Sequence, residues 1–149
     1  MKYRLKIRSS RPTPVTISNF EVISTYTLDH QYVQTYTLAD DDTRKVQPAG
    51  SVLAFDPASG KVLPNFTSYG FAAEGVLLTD ADCGDPGDPH DVVADVLWRG
   101  LVLETRCWDN GVYGTVLSAT KNTLADRIMF VKRENRGARS YRYGGSRNR

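Results

Sequence analysis

"VQPAGSVLAFDPASGKVLPNFTSYGFAAEGVLLTDADCGDPGDPHDVVADVLWRGLVLE", residues 46–104, decides the fold, because apolar runs alternate in it with turn chemistry. "SVLAF" sits between "PAG" and "DPASG", and both flanks carry the Pro, Gly, Asp and Ser that bend a chain. "FAAEGVLLT" reads as a buried strand that ends at an acidic loop. "DVVADVLWRGLVLET" is apolar almost throughout, except for Asp95 and the Arg99-Gly100 pair; two strands broken by a tight turn or bulge fit it best.

Working outward, "VTISNFEVIST" and "YVQTYTL" are rich in β-branched and aromatic residues and read as strands, with "LDHQ" as the turn between them. "ADDDTRK" follows as a solvated loop. Downstream, "WDNGVYG" carries an Asn-Gly turn signal. "TKNTLADRIMFVKRE" allows a short helix opening near Asn122, since asparagine caps helices well. Ile128–Val131 then reads as helix continuation or as a final strand. The expected fold class is mostly β with one or two short helices (α+β).

A chain of 149 residues suits one domain with its own core. It divides into an extended basic arm at 1–14, a β-rich domain at 15–132 and a basic tail at 133–149. Residues 1–14 carry five basic residues and no acid, and residues 127–149 carry eight against Glu134 alone. Residues 15–126 hold sixteen acids and six basic residues, so an acidic body lies between basic arms. No run of about eighteen apolar residues is present to span a bilayer. The basic N-terminus lacks the apolar stretch and cleavage site of a secretory signal.

In the arm, Lys2, Arg4, Lys6 and Arg8 interleave with Tyr3, Leu5 and Ile7, the period of a strand with one charged and one apolar face. "RPTP" at 11–14 ends it. Such a segment either pairs with another chain's sheet edge, or is an edge strand of its own domain or a frayed terminus.

An enzyme is not expected. His30 and His90 are the only histidines, and no G-x-S-x-G, H-E-x-x-H, phosphate-binding loop or paired C-x-x-C occurs. Asp80, Asp82, Asp85, Asp88 and Asp91 cluster within "TDADCGDPGDPHD", which leaves a solvated loop or a calcium site as readings. The second would make the chain a calcium-dependent β-rich binding module. Cys83 and Cys107 read as cytosolic thiols, or as one bridge. The tail interleaves Arg with Tyr141 and Tyr143, as nucleic-acid binders do, but the acidic body repels a polyanion. Nucleic acid, membrane and cofactor are therefore not expected.

Residues 46–104 resemble the lambdoid head decoration proteins of tailed phages, through steps that occur in the same order. They are P-A-G-x-V-L at Pro48–Leu53, G-K-x-x-P at Gly60–Pro64, A-x-G-V-L-L-x-D-x-D at Ala73–Asp82 and x-x-G-x-V at Trp98–Val102, with "LADRIMFVKRE" as a typical ending. The resemblance implies a non-enzymatic cementing protein, made in the host cytoplasm and carried on the outer surface of the virion. It would sit there as trimers on the expanded capsid, clamping major capsid subunits against internal DNA pressure. It also implies that Lys2–Arg8 orders on the capsid as an added strand. Tyr3, Leu5 and Ile7 would then enter pockets, and Lys2, Arg4, Lys6 and Arg8 would face acids. The stretch Val15–Leu38, which short members lack, is either a longer arm or an addition to the domain. The tail after Lys132 is a further departure.

Overall fold

The computed structural model describes residues 21–37 and 42–132; the arm at 1–14, the boundary at residue 15 and the tail at 133–149 lie outside them. The longest apolar runs become strands β4 (Val52–Asp56), β6 (Ala72–Leu77) and β8 (Val92–Leu103). Successive side chains of a strand point to opposite faces, so a continuous apolar run requires cover on both. Leu53, Leu77 and Val96 enter one cluster, whereas Val52, Val76 and Leu97 enter another. Each is fully buried, which stabilises the fold by about 1.5–3 kcal/mol per side chain.

The first cluster is the inside of a barrel. With β1 (Val22–Leu28) and β5 (Lys61–Pro64), the strands run β1-β5-β4-β6-β8, and β8 returns to β1. The two closing seams differ in length. The antiparallel β1–β8 ladder runs from Val22↔Arg99 to Leu28↔Val92. The parallel β1–β5 seam has one registered pair, Leu28↔Val62, extended by the Asp29 N–H donating to Val62 O at 2.9 Å. The second cluster lies outside the barrel, where Cys107, Val116, Leu124 and Ile128 cover β4, β6 and β8. These residues come from the segment after β8, from helix α1 (Ser118–Leu124) and from β11 (Ile128–Val131), which lies parallel to Gly100–Leu103 of β8. A three-stranded sheet of β2 (Thr35–Thr37), β3 (Thr43–Gln47) and β7 (Ala81–Asp82) adds to the barrel. A hairpin of β9 (Trp108–Asp109) and β10 (Val112–Tyr113) turns at Asn110 and Gly111, at φ 52° and 80°.

The described residues are thus mostly β with one α-helix and short 3-10 turns, as the composition of the runs indicates. Several local expectations are corrected. "ADDDTRK" is not all loop: Thr43–Lys45 belong to β3, held between β2 and β7. "DVVADVLWRGLVLE" is one strand rather than two, because β8 changes partners at Arg99–Gly100, from β1 to β11, without reversing. The bulge foreseen there is real; Val22 pairs Arg99 and Ile23 pairs Leu97, which leaves Trp98 as the extra residue. Tyr32 falls in a 3-10 turn and its strand starts only at Thr35. The helix opens at Ser118 and Asn122 is in its last turn. Its start is set from a distance, by carboxylates of Asp109 and Glu104 that accept the N–H groups of Leu117 and Val116. Val22–Leu28 is an addition to the domain, since it closes the barrel. Ile128–Val131 is a strand.

Candidate functional site

The predicted binding residues Lys2, Tyr3, Arg4, Leu5, Lys6, Ile7 and Arg8 lie outside the described residues, so the place where their segment joins the domain matters most. The first described residue, Glu21, lies beside Gly100 in the C-terminal third of β8. Glu21 Cγ lies 3.6 Å from the position a Cβ on Gly100 would take, and Gly100 is also where β11 starts, opposite Ile128. Two bulges meet near it. One is Trp98 on β8; the other is Glu74 on β6, skipped between the pairs Leu53↔Gly75 and Ala54↔Ala73.

Bulges leave main-chain groups without ladder partners. Here one side chain takes both: Arg127 Nη1 donates to Glu74 O at 3.0 Å and to Trp98 O at 2.8 Å. Its guanidinium lies 4.3 Å from the centre of the Trp98 ring. The Glu74 carboxylate accepts the Tyr26 hydroxyl, and burial together with that contact pushes the phenol up to about 12. Ile23 (50% exposed) and Val22 (43%) on β1 and Met129 (61%) on β11 are exposed hydrophobic side chains of strands that pair with β8.

The acidic loop is not a gathered site. Asp80 accepts the Ala49 N–H at 2.8 Å. Asp82 pairs with Arg44 at 3.0 Å and also accepts the Gly84 N–H. Asp85 accepts the N–H of Gly87 within its own turn, and Asp88 is exposed. Asp91 takes the Lys61 ammonium at 2.7 Å and the His30 N–H at 2.9 Å. Burial raises the Asp91 carboxyl, but Lys61 and the His30 N–H outweigh it and hold the group below the usual carboxylate range. Among the described residues no three His, Cys, Asp or Glu side chains converge as a metal set. The expectation of a plain solvated connection is also corrected: Ala81, Cys83 and Gly84 are buried, and Cys83 is part of the barrel interior.

Cys83 and Cys107 are free and buried in different clusters. Desolvation pushes their thiols up to about 11 and about 12. Glu104 and Asp109, which sequence reading passed over, are the other buried acids of consequence. Glu104 is 2% exposed and takes Lys121 Nζ and the Val116 N–H, each at 2.9 Å. Burial raises its carboxyl, yet these donors hold it below the ordinary value. Asp109 accepts Asn65 Nδ2 at 2.8 Å as well as the Leu117 N–H at 3.0 Å. A glutamate ending an apolar run, and an aspartate opening an Asn-Gly turn, were the available signals.

A shallow cleft of about 40 Å³ is lined by Gln34, Tyr36, Gln47, Asn65, Phe66 and Trp108 among others, with no charged side chain. Its best-placed hydroxyl is already engaged, since Ser51 Oγ donates to Pro48 O and accepts from Gln47 Nε2, both at 2.7 Å. The hydrogen bonds described above brace bulges, start a helix and tie loops to strands. What the architecture defines is a closed five-stranded β barrel with an outer helix-and-strand layer. No family model, curated protein or solved structure matches the chain.

Proposed function

We propose that the chain is a non-enzymatic decoration protein of a tailed-phage head. It binds the outside of the expanded shell as a trimer, engages major capsid subunits through Lys2–Arg8 and stabilises the shell against the pressure of packaged DNA. The observation that carries this reading is the ordered series of steps from Pro48 to Val102, which resembles the lambdoid decoration proteins.

The structural duties of those steps support it. A Cβ at Gly50 would lie 2.2 Å from Arg106 O, and one at Gly75 would lie 2.4 Å from Leu97 O. These glycines are required by close backbone approach, so a chain that shares them in order has reason to share the barrel around them. Gly60 closes the β4–β5 hairpin, donating its N–H to Asp56 O at 2.8 Å. A strand-like basic arm on such a barrel suits β-augmentation, in which main-chain bonds give affinity and alternate side chains give selectivity. Many modest contacts repeated over a shell add up through avidity.

The test is co-sedimentation of the full chain with purified phage heads. The expected result is binding to expanded heads and none to unexpanded ones. Equal recovery with both forms, or with neither, overturns the reading.

A further inference from the structure

The uncharged cleft beside the β9–β10 hairpin contains polar atoms that the fold holds in place and does not use. Gln47 and Asn65, each 8% exposed, line it. At both, the surrounding network decides which end of the amide is which. Pro48 O can only accept, so the Ser51 hydroxyl gives its proton there and its oxygen accepts from Gln47 Nε2. Gln47 Oε1 is thereby left with no partner among the described residues. Asp109, whose other oxygen takes the Leu117 N–H, accepts Asn65 Nδ2 at 2.8 Å, and Thr120 Oγ1 accepts it at 3.2 Å. Asn65 Oδ1 is the second acceptor left over. Among the described residues, His30 Nδ1 is the fully buried side-chain nitrogen or oxygen without a partner, so both amide oxygens can be reached from outside.

The walls are aromatic and tied together. Phe66 and Trp108 line the cleft, and each carries one of the two exposed aromatic side chains of the described residues. Tyr69 packs on Phe66 with ring centres 5.3 Å apart, and Tyr113 packs on Trp108 at 4.7 Å. The hairpin tip is fastened to the opposite wall, since the Asn110 N–H donates to Asn65 O at 3.0 Å and Asn110 Oδ1 accepts the Thr67 N–H at 3.1 Å. A cleft formed in advance spares a ligand the ordering of its site.

The lining selects the chemistry of the ligand. Among the described residues no charged side chain lines the cleft, so a phosphate finds no cation and an ammonium no carboxylate to replace its water. The charge that bears on it is negative: burial first, and then Asp80, raise the Tyr36 phenol. What fits is a neutral group with several donors and an apolar face. A sugar ring has both, hydroxyls for the amide oxygens and a C–H face for the aromatic rings. Same-side N–H groups of an extended peptide recur about 7 Å apart, too widely for one small cleft. We propose that the cleft between Gln47, Asn65, Phe66 and Trp108 binds a neutral hexose unit of a glycan. Its volume of about 40 Å³ takes one edge of a single ring and leaves the rest to Tyr69 and Tyr113. The site is independent of the decoration reading, and either can fail alone.

The test titrates the isotope-labelled full chain with the methyl glycosides of glucose, galactose, mannose and N-acetylglucosamine, and follows the side-chain N–H signals of Gln47, Asn65 and Trp108 by NMR. At least one glycoside is expected to shift them to saturation, with a Kd on the order of 1–10 mM, and to leave the Trp98 indole unmoved. Gln47→Met keeps the length of the side chain without its oxygen and is expected to weaken binding at least ~10-fold. Tyr69→Ser combined with Tyr113→Ser, at exposed positions outside the core, is expected to do the same. Should Gln47→Met fail to fold, the tyrosine variant decides alone.

No saturable shift from any of the four glycosides at about 100 mM overturns the site. Undiminished binding by a folded Gln47→Met chain, or by the tyrosine variant, overturns it as well. Tighter binding of inorganic phosphate or of N-acetylproline amide at the same signals overturns the carbohydrate assignment in favour of an anion or a peptide. Glycoside binding by a chain that does not co-sediment with heads upholds this site and removes the decoration reading alone.

Discussion

Replacing Arg127 with methionine removes one side chain that braces two strand irregularities at once. Its Nη1 serves the carbonyls of Glu74 and Trp98, at 3.0 and 2.8 Å. A hydrogen bond from a charged group contributes about 1.5–3 kcal/mol. Both carbonyls lie in a half-buried region that water partly reaches, so the lower figure suits each, about 3 kcal/mol together. The guanidinium over Trp98 adds ~0.5–1 kcal/mol, of which the methionine thioether recovers part by packing on the same ring. The expected loss is about 3 kcal/mol, or roughly 10 °C in Tm for a domain of this size. Urea unfolding followed by tryptophan fluorescence reads it as a lower midpoint with an unchanged slope. Arg99→Met is the control, because Arg99 also lies near the Trp98 ring, at 5.8 Å, but is exposed. It is expected to cost less than about 0.5 kcal/mol. If Arg127→Met costs no more than Arg99→Met, the bracing argument is wrong.

Gly75→Ala forces a methyl group to 2.4 Å from Leu97 O and 2.6 Å from Val96 Cγ1, and is expected to cost at least ~2 kcal/mol in the same unfolding measurement. Asp91 and Glu104 are held below their ordinary pKa, so their stabilisation is present above the unfolded value near 4 and is lost as pH falls through the folded values. Urea midpoints should therefore be flat above about pH 5 and decline below about pH 4; Glu104→Gln should lower the plateau and soften the decline, and an unchanged profile would refute its role. Neither Cys83 nor Cys107 should react with a thiol reagent at pH 8 until the domain unfolds, because both are buried with raised pKa; rapid native-state labelling of either would contradict the assigned core.

The strands inside the barrel were the easiest part to read, because "SVLAF", "GVLL" and "ADVLW" bury both faces and leave little polar alternation. The turn at Asn110-Gly111 was also legible, since that pair is suited to positive φ. β3 was not, because Thr43, Arg44 and Lys45 carry no apolar signal; their strand is imposed by neighbours on both sides. The helix start was misplaced for a similar reason. Local capping chemistry points to Asn122, whereas the carboxylates of Asp109 and Glu104 act from outside the segment. The aspartates of the 80–91 loop looked like one cluster along the chain, but folding distributes them to partners as distant as Ala49, Arg44 and Lys61. Arg127, within "LADRIMFVKRE", carried no sign of its bracing role. Its importance exists only once two bulges from different strands meet.

The unequal seams of the barrel bear on how the chain is made. β4, β5 and β6 lie within about 25 residues of one another and can pair as soon as they leave the ribosome. β1 must wait, because its principal partners lie 64 to 77 residues downstream and its contact with β5 is a single pair. The earliest of the described strands to be synthesised is thus among the last of them to be locked, and until β8 emerges it stays available to another nascent copy. Dense translation of one message would favour exchange of this strand between copies, and a bulky N-terminal fusion would burden the very segment that has to close the barrel.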